Sequence, residues 1–299
     1  MSSLVPRVVL VTRETEFERL LAAHATRGQA EFFLTSRGQS LELLEMHHEQ
    51  QLTAIDGAKR SVPADWSIVH AARNDLDRFL FSPDDIIVAI GQDGLVANLA
   101  KYLSGQPVVG VSPDPSRTEG ILTPLTVESL STLLPSVAAQ DVALQRRSMV
   151  EARLPDGQIL AALNELFIGH RSHQSARYKI HVGQTEESHS SSGVIVSTGT
   201  GLTGWARSIL TATNQQASFG PEDRRAVYFA REPWPSRTTG CELSFGEFED
   251  DEEISLVSRM NDGGVIFADG IEQDFLRFNW GVEAKVALSR QTLNLVTLR

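Results

Sequence analysis

Ile86-Ile87-Val88-Ala89-Ile90-Gly91-Gln92-Asp93-Gly94 runs five apolar, mostly β-branched residues into a glycine-flanked turn. A run of that length without polar alternation predicts a strand buried on both faces, as in a parallel sheet covered by helices. The residues that follow, as far as Leu103, carry a helical pattern. In such a sheet the loop beyond the carboxyl end of a strand is where ligands bind. Glycine lets backbone amides approach a phosphate, and the next helix presents its positive end. Asp93 adds a carboxylate able to accept a proton from a substrate hydroxyl. Read by itself, the turn is equally a plain strand-to-helix connection with Asp93 as a cap.

Working outward, Val8 to Val11 reads as a strand, and Thr12 as the cap of a helix carrying Phe17, Leu20, Leu21 and His24 at helical spacing. Glu14 and Glu16 suit the positive start of that helix. Glu31 to Leu34 reads as a second strand, with an amphipathic helix from Ser40 and a further strand at Pro107 to Val111. Short apolar runs separated by helical segments predict an α/β domain over residues 1–125, carrying the Gly91-to-Gly94 turn. Thr126 to Val137 reads as a helix. From about residue 140 the pattern becomes β. Pro155-Asp156-Gly157 predicts a turn between strands at Met149–Leu154 and Ile159–Ile168. Further strands are expected at Tyr178–Val182, Val194–Ser197, Ala226–Ala230, Glu242–Phe245, Ile254–Val257, Val265–Ala268, Ala284–Leu288 and Leu293–Leu298. The second domain, 126–299, is therefore expected to be mainly β and sandwich-like.

The chain has 299 residues and a formal net charge of −11, which argues against a uniformly basic nucleic-acid coat. One cysteine, Cys241, supplies neither an internal disulfide nor a thiolate cluster and reads as a reduced, structural thiol. No stretch approaches the ~20 apolar residues of a spanning helix, and Met1 to Pro6 lacks the apolar core of a signal peptide. The expectation is a cytoplasmic protein without membrane or nucleic-acid partners. His170 and His173 lack a third metal ligand at a telling spacing, His47-His48 reads as solvated, and no metal site is expected. The acids of Glu247 to Glu253 read as an exposed turn, and Arg146-Arg147 and Arg224-Arg225 as salt-bridging or solvated pairs.

A second polar loop follows an apolar run: Ser192-Gly193-Val194-Ile195-Val196-Ser197-Thr198, then Gly199-Thr200-Gly201-Leu202-Thr203-Gly204-Trp205 and a short helix from Ala206. Gly199 to Gly204 fits the GxGxxG spacing, and Glu222 stands near the distance of a ribose-binding acid, which admits a Rossmann dinucleotide site. The β-rich surroundings admit instead a polar loop closely approached by a nucleotide.

Together these segments resemble the NAD kinase family, most of all its mitochondrial-type branch. Gly91-Gln92-Asp93-Gly94 is similar to the family's GGDGT. Pro107-Val108-Val109-Gly110-Val111, with Asp114 to Gly120, resembles its next block. Leu163-Asn164-Glu165-Leu166-Phe167-Ile168-Gly169 resembles LNEVFIG, and Ser191-Ser192-Gly193 running to Trp205 resembles SSG…TGTGSKAW. Ala268-Asp269-Gly270 resembles a late Asp-Gly turn. The resemblance implies an α/β domain, a β-sandwich-like domain and a site between them, with phosphoryl transfer from ATP or polyphosphate to the 2′-hydroxyl of NAD. It implies Asp93 as the catalytic carboxylate and Gly91, Gln92 and Gly94 as the phosphate-donor loop. NAD would be held by Asn164, Glu165, Thr198, Thr200, Thr203, Gly204, Trp205 and Ser208. Mg²⁺ would accompany the ATP, and the protein would be a homodimer or tetramer. Four positions depart from the pattern: Gln92 for glycine, Leu95 for threonine, Ser112 for asparagine and Leu202 for serine. A glutamine forced to φ > 0 would cost about 1–2 kcal/mol, and a lost donor to transition-state charge ~10²–10³ in rate. The alternative is a catalytically impaired homologue that binds NAD(P) or another nucleotide without turnover. A lipid-alcohol kinase of the same superfamily shares the glycine turn but not Asn164-Glu165.

Overall fold

The computed structural model describes residues 5–116 and 120–298. Arg117, Thr118 and Glu119 of the Asp114-to-Gly120 block, and Met1 to Leu4, lie outside the described residues. The chain forms two compact units. The first runs through Gln145 and takes back the chain from Asn294; the second is Arg146–Leu293.

In the first unit β1 (Arg7–Thr12) is followed by α1 (Glu16–His24), α2 (Arg27–Thr35), α3 (Leu41–Ser61) and β2 (Ser67–Ala72). Then come β3 (Asp85–Ile90), α4 (Asp93–Ala100), β4 (Pro107–Val111) and α5 (Leu130–Ala138). The strand order is β2-β1-β3-β4, all parallel. The connection leaving β1 goes to one side of the sheet while β3 lies on the other. The ends of β1 and β3 therefore form a topological switch point. Ile86 to Ile90 are buried, as their unbroken apolar run requires. The α/β expectation holds, with local corrections. The segment Glu31–Leu34 is helical, within α2, because Thr26 caps it and Ala30 and Leu34, one helical turn apart, carry its buried face. The cap of α1 is Thr15, not Thr12: Thr15 and Glu18 form a reciprocal capping box.

In the second unit the strands are β5 (Ala143–Arg153), β6 (Ile159–Ala162), β7 (Glu165–His170), β8 (Ala176–Val182), β9 (Thr185–Ser191) and β10 (Val194–Thr198). After α6 (Trp205–Thr213) come β11 (Arg225–Ala230), β12 (Phe245–Glu249), β13 (Glu253–Ser258), β14 (Gly264–Ala268), β15 (Ile271–Arg277) and β16 (Glu283–Thr297). One sheet has the order β12-β11-β10-β7-β14-β15 and is antiparallel throughout. The other packs β16, β13, β8 and β9 antiparallel. Leu166, Ile168, Val194, Val196 and Tyr228 face Ile180, Ile254, Leu256 and Val286 in one sandwich core. The alternate residues Phe167, Ile195, Val227 and Phe229 point to the other face, covered by Ala206 and Leu210 of α6. Strands buried on both faces read as continuous apolar runs, which is why they stand out in the sequence.

The Pro155-Asp156-Gly157 turn forms as expected, between β5 and β6. The single strand expected over Ile159–Ile168 is broken at Leu163-Asn164, and Glu242–Ser244 is a helical turn rather than a strand start. The two strands expected after residue 283 are one, β16. Its residues Asn294 and Leu295 pair in parallel with Pro107 and Val108, so this strand serves both units.

Candidate functional site

In the first unit, Gly91 donates its N–H to the carbonyl of Val111 at 3.0 Å, tying the end of β3 to the end of β4. Gln92 has φ −97° and ψ 165°, ordinary extended backbone, so it bears none of the strain considered above. Its side chain is exposed and its Oε1 accepts from Arg13 Nη2 at 2.7 Å. Asp93 opens α4, and its carboxylate grips the loop after β4. Oδ1 accepts from the N–H groups of Leu122 and Thr123 at 2.9 and 3.1 Å and from Thr123 Oγ1 at 3.0 Å. Oδ2 accepts from the N–H of Ile121 at 3.0 Å. Gly110 is required for that loop to come close, because a Cβ there would lie 1.9 Å from the carbonyl oxygen of Leu122. Leu95 is fully buried, and Ser112 is buried with its N–H bonded to the carbonyl of Leu125.

A cavity of about 130 Å³ opens at these strand ends, lined among others by Arg13, His47, His48, Gln50, Gly91 and Gln92. The two histidines, on α3, are thus half-buried on the cavity wall rather than fully solvated as expected. Arg13, Gln50 and the histidines were not expected here. Only their meeting at the switch point reveals them, and sequence spacing carries no signal of it.

In the second unit, Asp269 sits at φ +51° in a turn with Gly270 and breaks the strand at Asn164. Its carboxylate accepts from the N–H groups of Leu163, Asn164 and Glu165 at 3.0, 2.7 and 3.3 Å. The Asn164 carbonyl in turn accepts from the Thr198 N–H at 3.0 Å and from Ser197 Oγ at 3.2 Å. Thr198 Oγ1 donates to the Leu163 carbonyl at 2.6 Å and accepts from the N–H groups of Thr200 and Gly201. Gly201 is needed because a Cβ would meet the Asn164 carbonyl oxygen and Ser197 Oγ, each at 2.3 Å. Asn164, Glu165, Thr198 and Thr200 are therefore one hydrogen-bonded assembly.

The Asn164 amide and the Glu165 carboxyl have no hydrogen-bond partner among the described residues. Glu165 is only 8% exposed. Burial, and secondarily the charge of Asp269, push its carboxyl up to about 7. A buried acid without a partner at the end of a strand is a group awaiting a ligand. Arg147, expected to be salt-bridged or solvated, is instead buried and reaches Thr200 Oγ1 at 3.4 Å as a member of the group.

The rest of the loop is more open. Thr203 donates from Oγ1 to the Thr200 carbonyl at 2.9 Å, and Gly204 leads into α6. Trp205 lies parallel to Phe167 with ring centroids 6.4 Å apart, and the guanidinium of Arg231 sits 5.3 Å from its ring centre. Ser208 is exposed on α6.

The Rossmann reading and a structural, core position for Cys241 are overturned, whereas the salt-bridged Arg224-Arg225 pair and the exposed acidic turn stand as expected. β10, which leads into the GxGxxG loop, pairs antiparallel with both neighbours, so this loop belongs to no βαβ unit and forms no Rossmann site. Glu222 accepts the Arg146 N–H at 2.9 Å and serves the start of β5. His170 Nδ1 accepts the N–H of Ser172 at 3.1 Å, as a turn former. Arg224 and Arg225 pair with Asp250 and Glu247, so the acidic turn and the arginine pair satisfy each other. Cys241 is exposed rather than part of the core.

Comparison with known proteins bears on this arrangement. No family model matches the chain. Over 129 residues, 42% of this chain and 46% of the relative, it is 30% identical to an NAD kinase of Methanospirillum hungatei. Over 132 residues, with the same coverages, it is 35% identical to one of Heliobacterium modesticaldum. The chain spans a little under half the length of these curated relatives. In structure it is similar to yeast NADH kinase complexed with NADH, at TM-score 0.60 and 15% identity, covering 99% of this chain and 85% of that one. An NAD kinase from Archaeoglobus fulgidus in complex with ATP gives TM-score 0.59 and 17% identity, covering 97% and 93%. The fold is NAD kinase-like.

Proposed function

We propose that the protein transfers a phosphoryl group from ATP, or from inorganic polyphosphate, to the 2′-hydroxyl of NAD, giving NADP. The observation that carries this reading is the Asn164-Glu165 turn. It is fixed by Asp269 and by the Thr198 loop, yet it leaves an amide and a carboxyl without partners. An amide offers both donor and acceptor and a carboxylate two acceptors, which suits base edges and ribose hydroxyls. Thr200, Thr203, Gly204 and Ser208 complete the NAD contacts in this reading, and Trp205 offers an aromatic face to a ring.

Asp93 is the proposed proton acceptor. Among the described residues its Oδ2 carries only the Ile121 bond, which leaves lone-pair capacity for a substrate hydroxyl. A carboxylate is too weak a base to ionise an alcohol beforehand, so the proton leaves late, as the bond to phosphorus forms. Catalysis is then mostly positioning and charge stabilisation. Gly91, Gln92 and Gly94 form the donor loop. Glu16 and Asp114, on the wall of the strand-end cavity, are the carboxylates that would hold a Mg²⁺ ion together with the substrate phosphates, and such an ion would supply charge neutralisation on the donor. The affinity to the mitochondrial-type branch, a cytoplasmic location and a homodimeric or tetrameric state belong to the proposal and rest on the motif resemblance.

One observation favours a second reading, nucleotide binding without turnover: Leu95 is an apolar, fully buried residue where the resembling motif has a hydroxyl. A donor-panel assay with NAD and Mg²⁺, reading NADP through a strictly NADP-dependent coupling enzyme, separates the two. NADP formation with ATP or polyphosphate is expected. Silence with every donor, beside calorimetric binding of NAD, would leave the second reading standing.

A further inference from the structure

We infer that the strand-end cavity of the first unit receives the terminal phosphoryl group of the donor, with Arg13 as the cation that binds it and Gln92 as the residue that positions Arg13. The inference rests on the phosphotransfer reading above and goes beyond it by assigning the donor's anchoring residues. Arg13 follows β1 and Gln92 follows β3, so their hydrogen bond, 2.7 Å long, spans the switch point. Gln92 is a neutral amide. It orients the guanidinium without cancelling its charge and occupies one of its five N–H groups. No carboxylate forms an ion pair with Arg13 among the described residues. Its surroundings disfavour its charge: partial burial, and after it the charges of Arg19 and Arg73, depress its pKa, with Glu16 the opposing neighbour. A half-buried, uncompensated guanidinium is the group expected where an anion is to arrive.

The cavity carries a second unmet demand. Gln50 Oε1 is buried without a hydrogen-bond partner and lines the same space. A water from the hydration shell of the incoming phosphate would satisfy it. Glu16 is exposed on the rim, and Asp114 Oδ1 is engaged by Ser116 Oγ at 2.6 Å, so the carboxylates do not neutralise Arg13. Pockets that enclose whole drug-sized ligands measure roughly 300–1,000 Å³. About 130 Å³ admits an end group, not a complete nucleotide. The shared chemistry is a terminal phosphoanhydride, from ATP or from polyphosphate. In this light Gln92, the departure from the resembling motif, is a working part of the site rather than a defect.

The test titrates Mg²⁺–tripolyphosphate and Mg²⁺–ATP calorimetrically into the full chain and into Arg13→Ala, Arg13→Lys and Gln92→Gly. Steady-state kinetics are run in parallel at saturating NAD. Arg13→Ala is expected to weaken tripolyphosphate binding at least tenfold with NAD affinity unchanged, and Arg13→Lys to recover part of it. Gln92→Gly should raise the donor KM several-fold while sparing kcat. ATP weakened in step with tripolyphosphate gives both donors one phosphate site. ATP binding that survives Arg13→Ala while tripolyphosphate binding is lost would assign the site to polyphosphate. Unaltered binding of both anions by folded Arg13→Ala, or no tripolyphosphate binding by the parent, overturns the assignment. Anion binding lost in Arg13→Ala from a parent that never forms NADP would defeat the kinase reading and leave the site. NADP formation with an unchanged donor KM in Arg13→Ala would do the reverse.

Discussion

At the scale of single residues, one substitution separates the loop-holding bonds of Asp93 from the proton acceptance proposed for it. Asparagine at 93 keeps one acceptor atom but turns the other into a donor facing the Ile121 N–H. Turnover of Asp93→Asn should fall by ~10²–10⁴, the usual worth of a positioned base. Stability should fall by about 1–3 kcal/mol as the part-buried bond from the Ile121 N–H is lost. Thermal unfolding beside the rate assay reads both; a rate lost with stability intact would mean the loop bonds are not structural. Leu95→Thr, which restores the motif hydroxyl, is expected to destabilise by roughly 1–3 kcal/mol, because its site is fully buried. Urea unfolding measures that directly. Glu165 makes a pH-dependent contribution. Its folded carboxyl titrates near 7, against about 4.3 when unfolded, so between those values the folded chain holds a proton the unfolded chain has lost. The contribution is fully present below about pH 4.3 and falls away as pH rises through 7, by up to roughly 3 kcal/mol. Urea unfolding of Glu165→Gln and the parent at pH 5 and pH 8 should show the parent losing more stability on the alkaline side. Parallel changes in both would remove Glu165 from this role.

At the scale of elements, the loops of the candidate site depend on close approaches at Gly110 and Gly201 that only glycine permits. Gly201→Ala would drive a methyl into the Asn164 carbonyl. It should cost about 1–3 kcal/mol and weaken NAD binding measured by calorimetry. Gly94→Ala meets nothing within 4 Å and lies in α4, so stability should rise by ~0.4–1 kcal/mol. A fall in kcat/KM for the donor in that folded variant would show that the phosphate approaches this backbone. The same contrast explains what was legible in the sequence. The Asp93 turn and the Asn164 and Thr198 segments were readable because each follows or opens a strand buried on both faces. The strand β9 was not, because Thr185 to Ser191 is polar: its inward residues are His189 and Ser191, satisfied by the hydroxyl of Tyr178. The edge strand β2 leaves Ser67 and Ile68 exposed and shows no apolar period. Phe32-Phe33-Leu34 read as β from its composition, although Ala30 and Leu34 carry the buried helical face. Arg13 and Gln50 were illegible for a different reason, since each acquires meaning only from a neighbour remote in sequence.

At the scale of the whole molecule, the change from an α/β to a β pattern near residue 140 was legible, whereas the path of β16 was not. Its apolar residues predict strands, but nothing in them says that one strand begins in the sandwich and ends beside β4. That path has a consequence for how the protein is made. Asn294 Nδ2 donates to the carbonyl of Gly105 across 189 residues of sequence, and Leu295 pairs with Val108. During synthesis the first unit emerges early, yet it cannot complete its sheet until residue 294 has cleared the ribosome. Meanwhile β4 presents an unpaired parallel edge, the kind of template that recruits other chains. Contacts this remote in sequence also slow folding, since loop closure comes before the reward of pairing. A chain ending at Leu293 should therefore be released largely as aggregate, and ribosome-bound intermediates should depend on chaperones until translation passes that point. Arrest-peptide force profiling along the chain, with the length at which the first unit gains protection as its readout, would place that moment of completion.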